Sequence, residues 1–179
     1  MTDFMPPART SRPAFGGATL PELLIALLVS AILLATALPA MDNLLAQQRV
    51  ASATNAVIAL MRLARSESMT GGPVMLCDAN HACRDFTTTQ HLILVRADPD
   101  NPHLPAPGPP LEHLTLPHDT TVSWSRFRGN ALTFQRSGIL HFQNGHFRVC
   151  SGSASRRIIM NWAGRTRVEQ SAGQDICVE

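Results

Sequence analysis

Residues 16–40 read GGATLPELLIALLVSAILLATALPA. The stretch is almost wholly apolar, yet it carries a carboxylate, Glu22, near its start. As a helix, residues 18–41 would extend roughly 36 Å, enough to cross a hydrocarbon core of about 30 Å. A polar leader with Arg9 and Arg12 precedes it. That basic side is predicted to stay in the cytoplasm and the C-terminal part to lie across the membrane. An ordinary secretory signal is cut after its apolar segment at a small-residue site, which TALPA at residues 36–40 imitates. That reading leaves Glu22 unexplained, and a carboxylate in an apolar helix is costly enough to point to a function.

Working outward, the pattern turns amphipathic after Met41. Val50, Ala53, Val57, Leu60, Met61 and Ala64 recur at three- and four-residue steps, with Arg49, Arg62, Arg65 and Glu67 on the other faces. This predicts one helix continuing to about Met69, closed by TGGP at 70–73. Its apolar stripe needs a partner, most simply a sheet. From Pro73 onward short apolar runs alternate with turn residues: PVMLC, HLILVRA, TVSW, ALTF, GILHF, HFRVC, RRIIMNW and RTRVEQ. Asn144–Gly145 and Ala163–Gly164 read as tight turns between strands. Residues 99–117 hold seven of the thirteen prolines and read as an irregular extended loop. The predicted class is α+β: a long N-terminal helix, part membrane segment and part amphipathic, packed on antiparallel sheet. The predicted division is a leader at 1–17, a membrane segment at 18–41 and a globular domain at 42–179.

All fifteen basic residues are Arg, and their distribution is uneven. Residues 18–119 hold five Arg and nine acids, a balance of −4; residues 120–179 hold eight Arg and three acids, a balance of +5. No acid lies between Asp119 and Glu169, so the C-terminal part is suited to an anionic partner or is a solvated basic sheet face. An even set of four cysteines, Cys77, Cys83, Cys150 and Cys177, reads as two disulfides if the domain lies outside the cytoplasm. Local pairing would join 77 with 83 and 150 with 177, though spacing alone does not fix it. A zinc site on Cys77, His81 and Cys83 is the alternative, but C-x3-H-x-C fits no common zinc pattern. There is no nucleophile elbow, paired-carboxylate setting or phosphate loop, so neither an enzyme nor a cofactor is expected.

GGATLPELLIALL resembles the prepilin signal of type IV pilins and type II secretion pseudopilins. The resemblance implies cleavage by a prepilin peptidase between Gly17 and Ala18, with methylation of the new amine. Glu22 then becomes the fifth mature residue, where the family carries its glutamate, and Pro39 the twenty-second, where pilins often carry a proline. Ala18 departs from the usual Phe after the cut, and Pro21 from the usual Ile or Val, although a proline in a first helical turn costs little. By the same logic Glu22 pairs with the N-terminal amine of a neighbouring subunit during filament assembly, since burial of a charge is offset only when its partner is present.

Most of 18–179, the proline-rich insertion excepted, is similar to the GspH/FimT family of minor pilins and pseudopilins, on LARSESMTGGPVMLC, the cysteine soon after it, NGHFRVC, and GRTR before a last cysteine. FimT-type members belong to type IV pili, and some of them bind DNA for natural transformation through a C-terminal G-R-x-R motif. The resemblance therefore implies a DNA site at Gly164, Arg165 and Arg167, in a single-pass inner-membrane protein whose domain faces the periplasm and which joins a type IV pilus. The physics is consistent: on a strand, residues i and i+2 share a face roughly 6.6–6.8 Å apart, and a guanidinium grips phosphate with two parallel hydrogen bonds. Arg148, Arg156 and Arg157 would widen the patch if the sheet order brings them close. Trp162 would stack on a base or, as expected of a Trp after IIMN, fill core. The rival reading of the arginines is a solvated hairpin tip or cross-strand pairing with Glu169. The rival functions are a tip pseudopilin of type II secretion, or a priming subunit that binds no DNA, or an adhesin-like module whose proline-rich loop binds protein.

Overall fold

The structure is a computed structural model. It describes residues 19–86, 88–125, 130–140, 143–170 and 177, without the side chains of 36–40. The leader, Gly17, Ala18, Arg126, Arg128 and the end of GILHF lie outside the described residues, as does the side chain of Pro39. The chain divides into two compact units, Met1–Pro39 and Ala40–Glu179.

Helix α1 (Leu20–Gly71) supplies the described part of the first unit. Its start follows local chemistry. The Thr19 carbonyl accepts the Leu23 N–H at 3.2 Å, with Pro21 and Glu22 in the first turn, where a missing N–H and a negative charge are both tolerated. The large apolar side chains of its first half, Leu20, Leu23, Leu24, Ile25, Leu27 and Leu28 among them, are exposed. Among the described residues no helix is long and apolar enough to cross a membrane. The apolar run continues in sequence through 36–40, whose side chains are not described.

The second unit carries a complete core. Val50, Ala53, Val57, Leu60, Met61 and Ala64, the stripe predicted from the helical period, are all buried. They meet two antiparallel sheets. One has the order β4 (Glu112–Thr115), β3 (His91–Arg96), β1 (Val74–Asp78), β6 (Leu132–Phe134). The other runs β2 (Thr88–Thr89), β5 (Thr120–Ser125), β7 (Gly145–Ser151), β8 (Ala154–Met160), β9 (Thr166–Gln170). Leu76, Leu92, Leu94 and Phe134 from the first sheet and Val122, Phe147, Val149, Ile158 and Met160 from the second close one core with the helix. Each such side chain stabilises the fold by about 1.5–3 kcal/mol when fully buried.

The end of α1 is fastened by a side chain. Arg96, the last residue of β3, donates to the Glu67 carbonyl at 3.1 Å and to Glu67 Oε2 at 2.7 Å. It thereby ties the last turns of the helix to the first sheet. Gly71 makes room for it: a Cβ there would sit 2.4 Å from the guanidinium.

Both disulfides have the local pairing, Cys77–Cys83 and Cys150–Cys177. The first closes a loop over Asp78, whose buried carboxylate accepts from the Asn80 N–H at 2.9 Å and Thr89 Oγ1 at 2.8 Å and meets His81 Nδ1 at 2.8 Å. With both sulfurs bonded, the zinc alternative at Cys77 and Cys83 falls.

Two expectations are corrected. Residues 99–117 are not wholly irregular, because β4 lies within them and pairs with β3 from His91↔Thr115 to Leu94↔Glu112. Residues 111–116 contain no proline, and β4 is an edge strand, where neighbouring prolines withhold no ladder hydrogen bond. Asn144–Gly145 is not a turn between paired strands either. β7 begins at Gly145 and pairs only with β5 and β8. The preceding Gln143 instead uses its side chain as a strand surrogate along β6, accepting from the Thr133 N–H at 2.9 Å and donating to the Ala131 carbonyl at 2.8 Å.

Candidate nucleic-acid interface

The β8–β9 hairpin builds the site. Asn161 organises its turn: its carbonyl accepts the Gly164 N–H at 2.9 Å, its N–H donates to the Arg165 carbonyl at 3.2 Å, and its Oδ1 accepts the Arg165 N–H at 3.0 Å. Trp162, Ala163 and Gly164 form the three-residue loop, and Gly164 takes φ +73°, the left-handed position such loops reserve for glycine. A Cβ at Gly164 would also lie 3.2 Å from the Gly138 carbonyl oxygen and 3.6 Å from Arg65 Nη1. The glycine of GRTR is therefore required twice, by its backbone angle and by a close approach.

Strand register sorts the arginines by face. Arg167 lies opposite Ile159, which lies opposite His146 and then Ser125. One step along, Glu169, Arg157, Arg148 and Ser123 form the next row. Both rows belong to the face turned away from Phe147, Val149, Ile158 and Met160. Arg165, Arg167, Arg157 and Arg148 are thus brought together on the outer face. Arg156 is not: it pairs with Val149 and Gln170 and shares a face with Ile158 and Met160. Arg148 and Arg157, both half-buried, line an open depression of about 830 Å³ that reaches Asn144 and Asn161 at the hairpin.

Arg165 is exposed. Arg167 is exposed too, at 72%, and its guanidinium is bonded to the carboxylate of Glu169, itself 40% exposed. The pair runs along β9 rather than across to a neighbouring strand. An ion pair this open contributes about 0.2–1 kcal/mol, so it is readily exchanged for another anion.

Two features escaped the sequence reading. Trp162 does not fill core; it is 55% exposed at the hairpin tip. Its N–H donates to Asn144 Oδ1 at 2.6 Å and its carbonyl accepts the Leu140 N–H at 2.8 Å, so the residue is held from both sides. Arg65, assigned to an outer helix face, lays its guanidinium beside the Gly164 backbone. That contact spans a hundred residues of chain and has no local signature. Among the described residues no group of His, Cys, Asp and Glu is placed to hold a metal.

A family model described as type II transport protein GspH matches residues 53–164. The chain belongs to the GspH family. The match ends on Gly164, so Arg165 and Arg167 lie just beyond it. Among solved structures the chain is similar to the type IV minor pilin FimU of Pseudomonas aeruginosa PAO1 in two crystal forms. In one the TM-score is 0.57 at 19% identity, covering 73% of this chain and 96% of FimU. In the other it is 0.54 at 20% identity, covering 71% and 98%. At that identity the likeness concerns the fold, an α+β pilin fold. No curated protein matches the chain. Family and fold are those of minor pilins and pseudopilins, which are structural subunits.

Proposed function

We propose that this GspH-family chain is a minor type IV pilin that captures DNA through its C-terminal arginines for uptake in natural transformation. The observation that carries the reading is the pair Arg165 and Arg167, exposed on one side of a turn that Gly164 and Asn161 hold in shape. Arg157 and Arg148 continue the same face across β8 and β7. Arg65 adds a fifth cation at the turn. Arg156, on the other face, is left out of the patch.

Phosphate is the natural ligand of such a surface, because guanidinium forks match it and nothing in the patch is arranged to read base edges. Binding is then indifferent to sequence and steeply weakened by salt, with log K falling by about 0.9 per phosphate contact for each unit of log salt. Upstream, the reading includes peptidase cleavage at Gly17–Ala18, methylation of Ala18, anchorage of the apolar stretch in the inner membrane, and pairing of Glu22 with the terminal amine of a neighbouring pilin subunit. The exposed apolar surface of Leu20 to Leu34 fits burial against lipid or other helices. Adsorption outside the membrane, followed by filament retraction, would carry DNA inward.

The test is duplex binding by residues 40–179, which hold the whole core, against Arg165→Gln/Arg167→Gln. A double variant that binds as tightly as the parent removes the site. A parent that fails to bind at low salt removes the function. The Arg167–Glu169 bond favours one rival, a structural pseudopilin of type II secretion in which these charges serve only the strand.

A further inference from the structure

Among the described residues most of the exposed large apolar side chains lie on α1; Trp162 is the aromatic one among them, and it stands three residues from Arg165 in the same hairpin turn. Its backbone is bonded on both sides, to Asn144 and to Leu140, so the indole is presented from a fixed position rather than a loose tip. The depression containing Arg148 and Arg157 begins at the same two asparagines, Asn144 and Asn161, that hold Trp162 and shape its turn. An open aromatic face in the same turn as a phosphate-binding arginine, next to residues that line a basic groove, is the arrangement with which proteins hold single-stranded nucleic acid. We propose that Trp162 is a base-stacking platform, and that the site takes single strands or frayed ends in preference to closed duplex.

The inference rests on the DNA-binding reading of Arg165 and Arg167 and adds a substrate class to it. Inside a duplex both faces of each base are covered by neighbours. A base reaches the indole only after it is unstacked, at a cost that a single strand does not bear. The arginines do not discriminate in this way, since both forms offer phosphate. Preference for single strands therefore comes from Trp162 and overall affinity from the arginines.

The experiment uses the full chain in detergent and three fluorescein-labelled probes with equal numbers of phosphates: oligothymidine, an abasic oligomer and a fully paired duplex with G·C-clamped blunt ends. Trp162→Ala should weaken oligothymidine binding by about 5- to 150-fold, the range provided by one base stacked on an aromatic ring. It should change duplex and abasic binding by less than about twofold. Trp162→Phe should restore most of the loss, because a phenyl ring still stacks. Arg165→Gln/Arg167→Gln should weaken all three probes. As a readout independent of any variant, oligothymidine should quench the emission of the wild-type chain and the abasic oligomer should not. Equal loss on every probe with Trp162→Ala, no loss on oligothymidine, or quenching by the abasic oligomer would overturn the stacking role while leaving the arginine site standing. Failure of the wild-type chain to bind any probe at low salt would overturn both.

Discussion

Replacing Glu169 by Gln should make the protein bind DNA more tightly. Arg167 is bonded to the Glu169 carboxylate, and a phosphate must displace that bond. With side chains 72% and 40% exposed, the pair contributes about 0.2–1 kcal/mol. A phosphate seated on Arg167 would also face the carboxylate across roughly 6 Å, a repulsion of about 0.7 kcal/mol in water. Together these amount to about 1–1.7 kcal/mol, or about 5- to 18-fold in affinity at low salt, shrinking as the Debye length falls to about 8 Å at physiological ionic strength. The assay is fluorescence anisotropy with a labelled duplex titrated at several salt concentrations. If Arg167 makes a weak contact in the parent and a full one in the variant, the slope of log K against log salt should steepen by up to about 0.9. A gain in binding cannot arise from unfolding, which sets this variant apart from any arginine deletion. Unchanged affinity and slope would show that Arg167 takes no phosphate and belongs to the strand alone.

Gly164→Ala should destabilise the hairpin by about 1–3 kcal/mol, because alanine is strained in the left-handed region and its Cβ would crowd the Gly138 carbonyl; a thermal melt measures the loss, and an unchanged midpoint would refute the geometry. Phe147→Ala, at a fully buried site packed with Phe86 and Trp124, should cost about 3–5 kcal/mol in urea unfolding. Cys150→Ser/Cys177→Ser opens a loop of sequence separation 27. It should cost about 3.5 kcal/mol by loop entropy, read as a lower denaturation midpoint than the parent's under oxidising conditions. Arg96→Met should cost about 1.5–3 kcal/mol, the worth of hydrogen bonds to a charged donor, and hydrogen exchange should show the last turn of α1 opening first.

Much of this fold was legible because burial imposes period. The stripe from Val50 to Ala64 repeats as a helix repeats, and all its members are buried. The alternation of Phe147, Arg148 and Val149 marked β7, and the four cysteines paired with their neighbours in sequence. What failed was decided by partners far along the chain. β4 is a strand because β3 offers it an edge, and β2 is two residues held by β5; neither has enough length to show a period. Asn144–Gly145 carries a hairpin signal, but both edges of β7 are filled, by β5 and by β8, so the preceding segment has no edge to pair with. Trp162 follows an apolar run and was expected inside; the run ends at Met160, and a turn set by Asn161 carries the indole to the surface. For the arginines, the i, i+2 spacing of 165 and 167 did place them on one face. The adjacent pair 156 and 157 had to split between faces, and register alone decided which of the two joined.

The fastening of α1 by Arg96 has a mechanical side. Beyond the helix come Gly72 and Pro73, a joint with no side chain to brace its first residue. Because Arg96 reaches back from β3 to Glu67, tension drawn along the helix axis enters the four-stranded sheet through a rivet placed before that joint. The sheet is then loaded at β3, a strand flanked on both sides by others, as well as through the covalent joint into β1.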